Sequence, residues 1–300
     1  MQALKTHFRI SLVLCTLLVA GVCVSIDSSA QGPQAEKVQG IEHLLELTPQ
    51  LYSGARPQSK ADFQQLQHLG IETVVCVDGI APRQEQLNKY NLKLIHLPTS
   101  YSGFSNQTLR SLAYVANKET GKVFVHCHHG KHRGPAAACV LGALQKELTV
   151  AQGVQVLTRA KTNPQYHGLW SAVTSMTPEK ISQLHQNAPA HLPENASVPI
   201  LTAPMIDLQL GLKAIDQPKL TQDDFKAAML LLEEGSVETT RVSQRHPYYQ
   251  AKGFQQSVVQ MNQLIKQLKS LPENDPQQQT ELLKQLKQQC AACHAAYRGR

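Results

Sequence analysis

The sequence predicts two folded parts in series: an α/β domain whose mainly parallel central sheet is flanked by helices, then an all-α up-down four-helix bundle. Three observations carry this. From about residue 50 to 146, β-branched runs alternate with amphipathic stretches, the pattern of a parallel sheet covered on both faces. After Met205 no strand signal remains, and four helical stretches follow one another with short connections. Between the two, residues 186–204 hold four prolines and no helical period, as a linker does.

The chain opens with Lys5, His7 and Arg9, an apolar run from Ile10 to Val24, and Ser28-Ser29-Ala30 before Gln31. That is the order of a secretory signal peptide cleaved after Ala30, an uncleaved anchor being the alternative. The expected organisation is therefore a signal peptide at 1–30, the α/β domain at 31–185, the linker at 186–204 and the helical bundle at 205–300. Residues 31–50 read as a polar lead-in with one short amphipathic helix. Leu51 to Pro57 is a strand and turn, and Lys60 to Leu69 a helix stopped by Gly70. Ile71 to Val77 is a buried strand, Arg83 to Tyr90 a helix, and Leu92 to Leu97 a strand closed by Pro98. Thr108 to Lys118 is a helix, Val123 to Val125 a strand, and Ala136 to Lys146 an Ala-rich helix after Gly134-Pro135.

In the second part, Met205 to Ile215 forms a first helix. Thr221 with Asp224 makes a capping-box pattern for a second, ending at Glu234. Gln250 to Leu271 carries a 3.6-residue apolar stripe (Val258, Met261, Leu264, Ile265, Leu268), and Pro276 starts a last helix striped by Leu282, Leu283 and Leu286.

Composition is that of a globular protein, 42% hydrophobic and 17% charged over 300 residues. Without the leader, 27 basic side chains face 21 acidic ones, net +6. The excess is spread out, without Lys/Arg blocks or interleaved aromatics, so it points to anionic substrates and away from nucleic acid. Outside the leader stand Cys76, Cys127, Cys139, Cys290 and Cys293, which is no disulfide framework.

The front domain is arranged around Val123-Phe-Val-His-Cys-His-His-Gly-Lys-His-Arg-Gly134. A strand, a short loop and a helix start aim successive backbone N–H groups and the positive helix end into one concavity, an anion site. The same groups favour a thiolate at Cys127, and Arg133 offers a planar fork matched to two oxygens of an anion. His-Cys, five residues, then Arg resembles the signature of the cysteine-dependent phosphatases, in their dual-specificity-like branch. The Tyr-Ser-Gly-Ala-Arg-Pro start and the Leu-Gly-Ile-Glu-Thr-Val-Val run extend that similarity from about residue 40 to 185.

The resemblance implies phosphate held by His128, His129, Gly130, Lys131, His132, Arg133 and Gly134, attack by Cys127, and a cysteinyl-phosphate hydrolysed by water. It also implies a loop Asp as proton donor, yet Leu97 to Ser105 holds no carboxylate, and Ser102 stands where one belongs. Asp78, at the carboxyl end of a parallel strand, is a candidate stand-in, though a plain turn Asp before Gly79 is the favoured reading. Gly134 replaces the usual Ser or Thr beside the Arg. His128, His129, Lys131 and His132 are expected to raise the positive potential of the loop. Cys76 reads either as a partner for Cys127 under oxidation or as an inert core thiol.

The last helix ends in Cys290-Ala-Ala-Cys293-His294. Two cysteines three apart on a helix can bond a haem covalently, with His294 as axial iron ligand. Zinc would need further ligands nearby. A helix bundle closing on this motif resembles the class II cytochromes c, the cytochrome c-prime type. An up-down bundle would bring Met205 near the haem as a distal ligand or an ordinary core residue, with Met229 and His246 as weaker candidates.

The expected cofactor is covalent haem c, with no other metal. The expected partners are a phosphorylated substrate and redox proteins, with membrane contact only through an uncleaved leader and a periplasmic or otherwise exported location. Three functions compete: an exported phosphatase carrying haem, a phosphate-binding module coupled to a haem sensor, and an electron-transfer cytochrome.

Overall fold

The computed structural model describes residues 40–192, 201–217, 220–245, 247–272 and 275–297. The signal-peptide reading, His246 and the middle of the linker lie outside these residues. The described residues all fall within one compact unit, and none of their helices is long and apolar enough to cross a membrane.

The front part is a five-stranded sheet. Its strands are β1 (Leu45–Thr48), β2 (Leu51–Gly54), β3 (Ile71–Cys76), β4 (Lys93–His96) and β5 (Lys122–His126), in spatial order β1-β2-β5-β3-β4. All neighbours are parallel except β1, which runs antiparallel to β2 at one edge. The helix expected within 31–50 is absent among the described residues. Ile41-Glu-His-Leu-Leu has helical spacing, but pairing Leu45 with Ser53 and Glu46 with Tyr52 satisfies more backbone at the sheet edge.

Strand residues alternate between two cores, as a period of two requires. Val75, Val77, Val123 and Val125 face a cluster with Leu109, Leu112 and the alanines 136–138, whereas Val74 and Phe124 face Phe63 and Leu66. The second face is covered by α1 (Lys60–His68), closed by a Ser59–Asp62 capping box, and by the short α2 (Gln84–Asn88). The first face is covered by α3 (Asn106–Lys118), α4 (Arg133–Leu144), α5 (Val150–Arg159), α6 (His167–Thr174) and α7 (Pro178–Gln186). Helix α4 is buried at every position, and its alanines let it lie close to the sheet. It starts three residues earlier than Ala136, because Pro135 in a first turn gives up an N–H that has no helical partner there.

The rear part is helical. Its helices are α8 (Thr202–Ile215), α9 (Gln222–Arg245), α10 (Lys252–Ser270) and α11 (Pro276–Tyr297). All four contribute to one apolar cluster that includes Leu208, Leu232, Val258, Ile265 and Leu286. The Thr221–Asp224 cap starts α9 as expected, the Thr221 hydroxyl accepting from Asp224 N at 3.1 Å. The helix then runs on to Arg245 instead of ending at Glu234. Gly235 looks like a stop but is a packing site: a Cβ there would come within 2.9 Å of both Leu208 Cγ and the Pro204 carbonyl oxygen on α8.

This contact generates a stability prediction. Gly235→Leu forces α8 off α9 and should lower stability by about 1–3 kcal/mol, read as a lower midpoint in thermal or denaturant unfolding; an unchanged midpoint would show that the helices do not meet there.

Candidate active site

The loop after β5 is fixed from both sides by neighbouring strand ends. Val77 N donates to His126 O at 2.9 Å on the β3 side, and Arg56 N donates to His128 O at 3.1 Å on the β2 side. Gly130 has φ +70°, and a Cβ there would lie 2.3 Å from Ala55 N, so the turn needs glycine. Cys127 is 2% exposed at the loop's start. Among the described residues, the backbone N–H groups of His128 to His132 donate to no protein acceptor. These N–H groups lie in the loop that the sequence reading expects to hold an anion. Gly134, in the first turn of α4, lies against the Cys127 sulfur: a Cβ there would be 3.4 Å from Cys127 Sγ.

Arg133 is the largest fully buried side chain among the described residues, 1% exposed. Its Nη1 donates to Thr99 O at 3.1 Å, and its Nη2 donates to Asp78 Oδ1 at 3.1 Å and Glu238 Oε2 at 3.2 Å. The guanidinium carbon sits 4.3 Å from the centre of the Tyr101 ring, which in turn packs on Tyr166. Arg133 Nε is buried without a partner.

Three of the surrounding groups come from the rear helices. Arg241 donates to Asp78 Oδ2 and to Glu238 Oε2, both at 2.8 Å, and Gly79 N donates to Glu238 Oε1 at 3.0 Å. Asp207 on α8 accepts from Ser100 Oγ at 2.5 Å and from Tyr101 N and Ser102 N, both at 3.2 Å. A carboxylate therefore reaches the 97–105 loop after all, but from another part of the chain.

Asp78, the candidate stand-in, is paired with two arginines. Burial would raise its pKa, but Arg133 and Arg241 outweigh that and hold the carboxyl well below the usual range. It is an ionised anchor for two arginines and has no proton to give. Glu238 goes the other way, its pKa raised by burial and by Asp78 despite the arginines. Burial likewise raises Asp207.

The loop histidines also depart from expectation. Burial, reinforced by nearby cations, pushes His128 and His132 down to about 4. Burial does the same to His126, whose Nδ1 lies 3.1 Å from Cys127 O. At neutral pH, His128 and His132 thus add no charge to the cradle. Cys76 and Cys127 are unpaired, and burial pushes the Cys76 thiol up.

Sequence reading missed Glu238, Arg241, Asp207 and Tyr101. The signal for the first two was the spacing Glu234, Glu238, Arg241, Arg245, one polar face of a helix, hidden by ending the helix at Glu234.

At the far end, Cys290 and Cys293 are unpaired and half-buried against the rear core, and burial raises both thiols. His294, on the same face of α11 as Cys290, is exposed. Tyr297 packs edge-on against Phe254 at 5.3 Å. Met205 is half-buried against the same core, and Met229 is inside it. No group of three or more metal-binding side chains is found among the described residues.

A thiol and an arginine thus bracket a loop of backbone N–H groups without protein acceptors. Residues 46–190 match the family model described as PTP-SAK, Swiss Army Knife protein, DSP-PTPase phosphatase domain. Among solved structures, Pseudomonas aeruginosa TpbA is similar at 20% identity and TM-score 0.43, over 53% of this chain and 96% of that one. The catalytic core of the Saccharomyces cerevisiae PP-IP phosphatase SIW14 matches at 15% identity and TM-score 0.41, over 50% and 94%. Human DUSP28 matches at 19% identity and TM-score 0.37, over 47% and 97%. No curated protein matches the chain.

The neutral histidines set a pH dependence. A base whose folded pKa lies below its unfolded value near 6.5 contributes stability above that pH and loses it as pH falls toward about 4. For fully buried His126 the loss is on the order of 3 kcal/mol. Denaturant titrations from about pH 7 to about pH 4 should show it, and His126→Gln should flatten the slope.

Proposed function

We propose that the front domain hydrolyses phosphate monoesters. The observation that carries this is the cradle between Cys127 and Arg133, with unused N–H groups and an orphaned Arg133 Nε waiting for an oxyanion. Substrate phosphate oxygens would take those donors. The Cys127 sulfur attacks phosphorus, the P–O ester bond breaks, and the leaving oxygen departs with the bonding pair. Water then attacks the cysteinyl-phosphate, releasing inorganic phosphate and restoring the sulfur.

The first step is helped by a proton on the leaving oxygen. No carboxylate of the 97–105 loop supplies it, and Asp78 is ionised. A general acid contributes ~10²–10⁴-fold, so esters with good leaving groups are the preferred class. An aryl phosphate should be cleaved about 10²–10⁴-fold faster than an alkyl phosphate. Cys127→Ser should bring the aryl rate down to the buffer background, and an unchanged rate would refute the reading.

A second proposal concerns the rear helices. Cys290 and Cys293 are unpaired, face the core, and share a helix with His294 at the spacing of covalent haem attachment. These residues fit haem c: the sulfurs would hold its vinyl carbons and His294 its iron. When bound, haem would supply one-electron redox chemistry and a site for small gases. Attachment of that kind requires export, which agrees with the leader expected at 1–30. Protein produced in an exporting host with haem-attachment enzymes should give a pyridine haemochrome spectrum and one added haem mass. Cys290→Ser with Cys293→Ser should lose both, and wild-type protein without either would exclude the haem.

A further inference from the structure

Arg133 is the residue the phosphate reading needs open, yet both its Nη atoms are already engaged and Nε alone is left without a partner. Nη1 is held by Thr99 O, and Nη2 is divided between Asp78 and Glu238. Asp78 belongs to the front domain and is a permanent neighbour. Glu238 is delivered by α9, is 4% exposed, and takes one N–H from Arg133 and another from Gly79. Those are planar, charge-assisted contacts of the kind a phosphate oxygen would make with the same arginine.

The helix is seated firmly. Arg241 ties Glu238 to Asp78, Tyr166 donates to Glu234 Oε1 at 3.0 Å, and Leu230 and Leu231 pack on the front core. Two cavities open nearby, of about 1200 Å³ and 430 Å³, and neither is lined by Cys127 or Arg133.

We infer that α9 closes the phosphate loop, with the Glu238 carboxylate lodged on Arg133 where a substrate oxyanion would bind. The inference rests on the phosphate-binding reading of that loop. It makes α9 docking and oxyanion binding mutually exclusive, so each weakens the other. A helix seated about 90% of the time would raise the apparent dissociation constant about tenfold. Glu238 fits the role because its own burial is costly: its pKa is raised although two arginines flank it.

The test uses the full chain carrying Cys127→Ser, which cannot react, with tungstate as a tetrahedral oxyanion measured by calorimetry. Glu238→Gln and Glu238→Ala should each bind tungstate at least about tenfold more tightly than the Glu238 protein. Equal affinities would overturn the closure and leave the phosphate loop standing. Absence of binding in every variant would remove both readings. Should the Glu238 variants fail to fold, hydrogen exchange of residues 234–245 in the Glu238 protein decides. Saturating tungstate should speed exchange there, and unchanged or slower exchange would overturn the proposal. With the cysteine restored, a Glu238→Gln protein that turns over more slowly at unchanged oxyanion affinity would make Glu238 a proton donor, which also overturns it.

Discussion

A guanidinium wholly removed from water has to be surrounded by acceptors, and Arg133 sets that demand for the rest of the molecule. Desolvating such a charge costs several kcal/mol unless it is paired and hydrogen-bonded. The Thr99 carbonyl and Asp78 supply part of the answer from the front domain. The remainder comes from about one hundred residues further on, as Glu238, with Arg241 balancing the second carboxylate. Two cations and two anions then share one buried site. Removing either carboxylate would leave an uncompensated buried charge, which typically costs about 3–5 kcal/mol. The rear helices are therefore part of the electrostatics of the loop, even though they contribute nothing to the sheet.

That arrangement explains which parts of the molecule could be read from the chain. Strands β3 and β5 are short β-branched runs bounded by Gly or Pro, and the loop is fixed by local spacing, so both were legible. That Gly130 turns left-handed shows only in the structure. Helix α9 was half legible: its cap at Thr221 is a local signal, but its continuation past Gly235 depends on contacts with α8 and the front domain. Strand β1 was not anticipated within 31–50, because only the proximity of β2 makes Leu45–Thr48 a strand. Asp207 and Glu238 could not be assigned from spacing, since what they do depends on where the chain returns.

The same logic bears on the acid the loop lacks. Ser100 and Ser102 occupy the segment where a carboxylate would be expected, and both hydroxyls sit within a hydrogen-bonded set that ends on Asp207. Tyr101 between them is turned onto Arg133. With Asp207 accepting three hydrogen bonds from the loop, its first consequence is to fix the backbone, so that Thr99 O can face Arg133. A carboxylate that holds a loop and one that protonates a leaving group need opposite environments: many donors for the first, few for the second. Asp207 has the donors of the first kind, three from the loop, although burial raises its pKa.

Helix α9 also has a second face. Two residues beyond Glu238, Thr240 accepts from Asn262 on α10, and Ser243 O accepts from Gln255. Helix α10 in turn meets α11 through Gln289 and the Phe254–Tyr297 pair, beside Cys293. The haem-type motif and the arginine are thus joined by consecutive packed helices. Contiguity by itself transmits nothing; coupling needs an element with two arrangements that both ends bias. In the closure inferred above, the seat of α9 on Arg133 is such an element, because its docked state opposes an anion and its other face carries α10. Anything that repacks the Cys290–Tyr297 end must act through the tilt or register of α9 to be felt at Cys127, so a redox change leaving α10 in place would leave the loop unaffected.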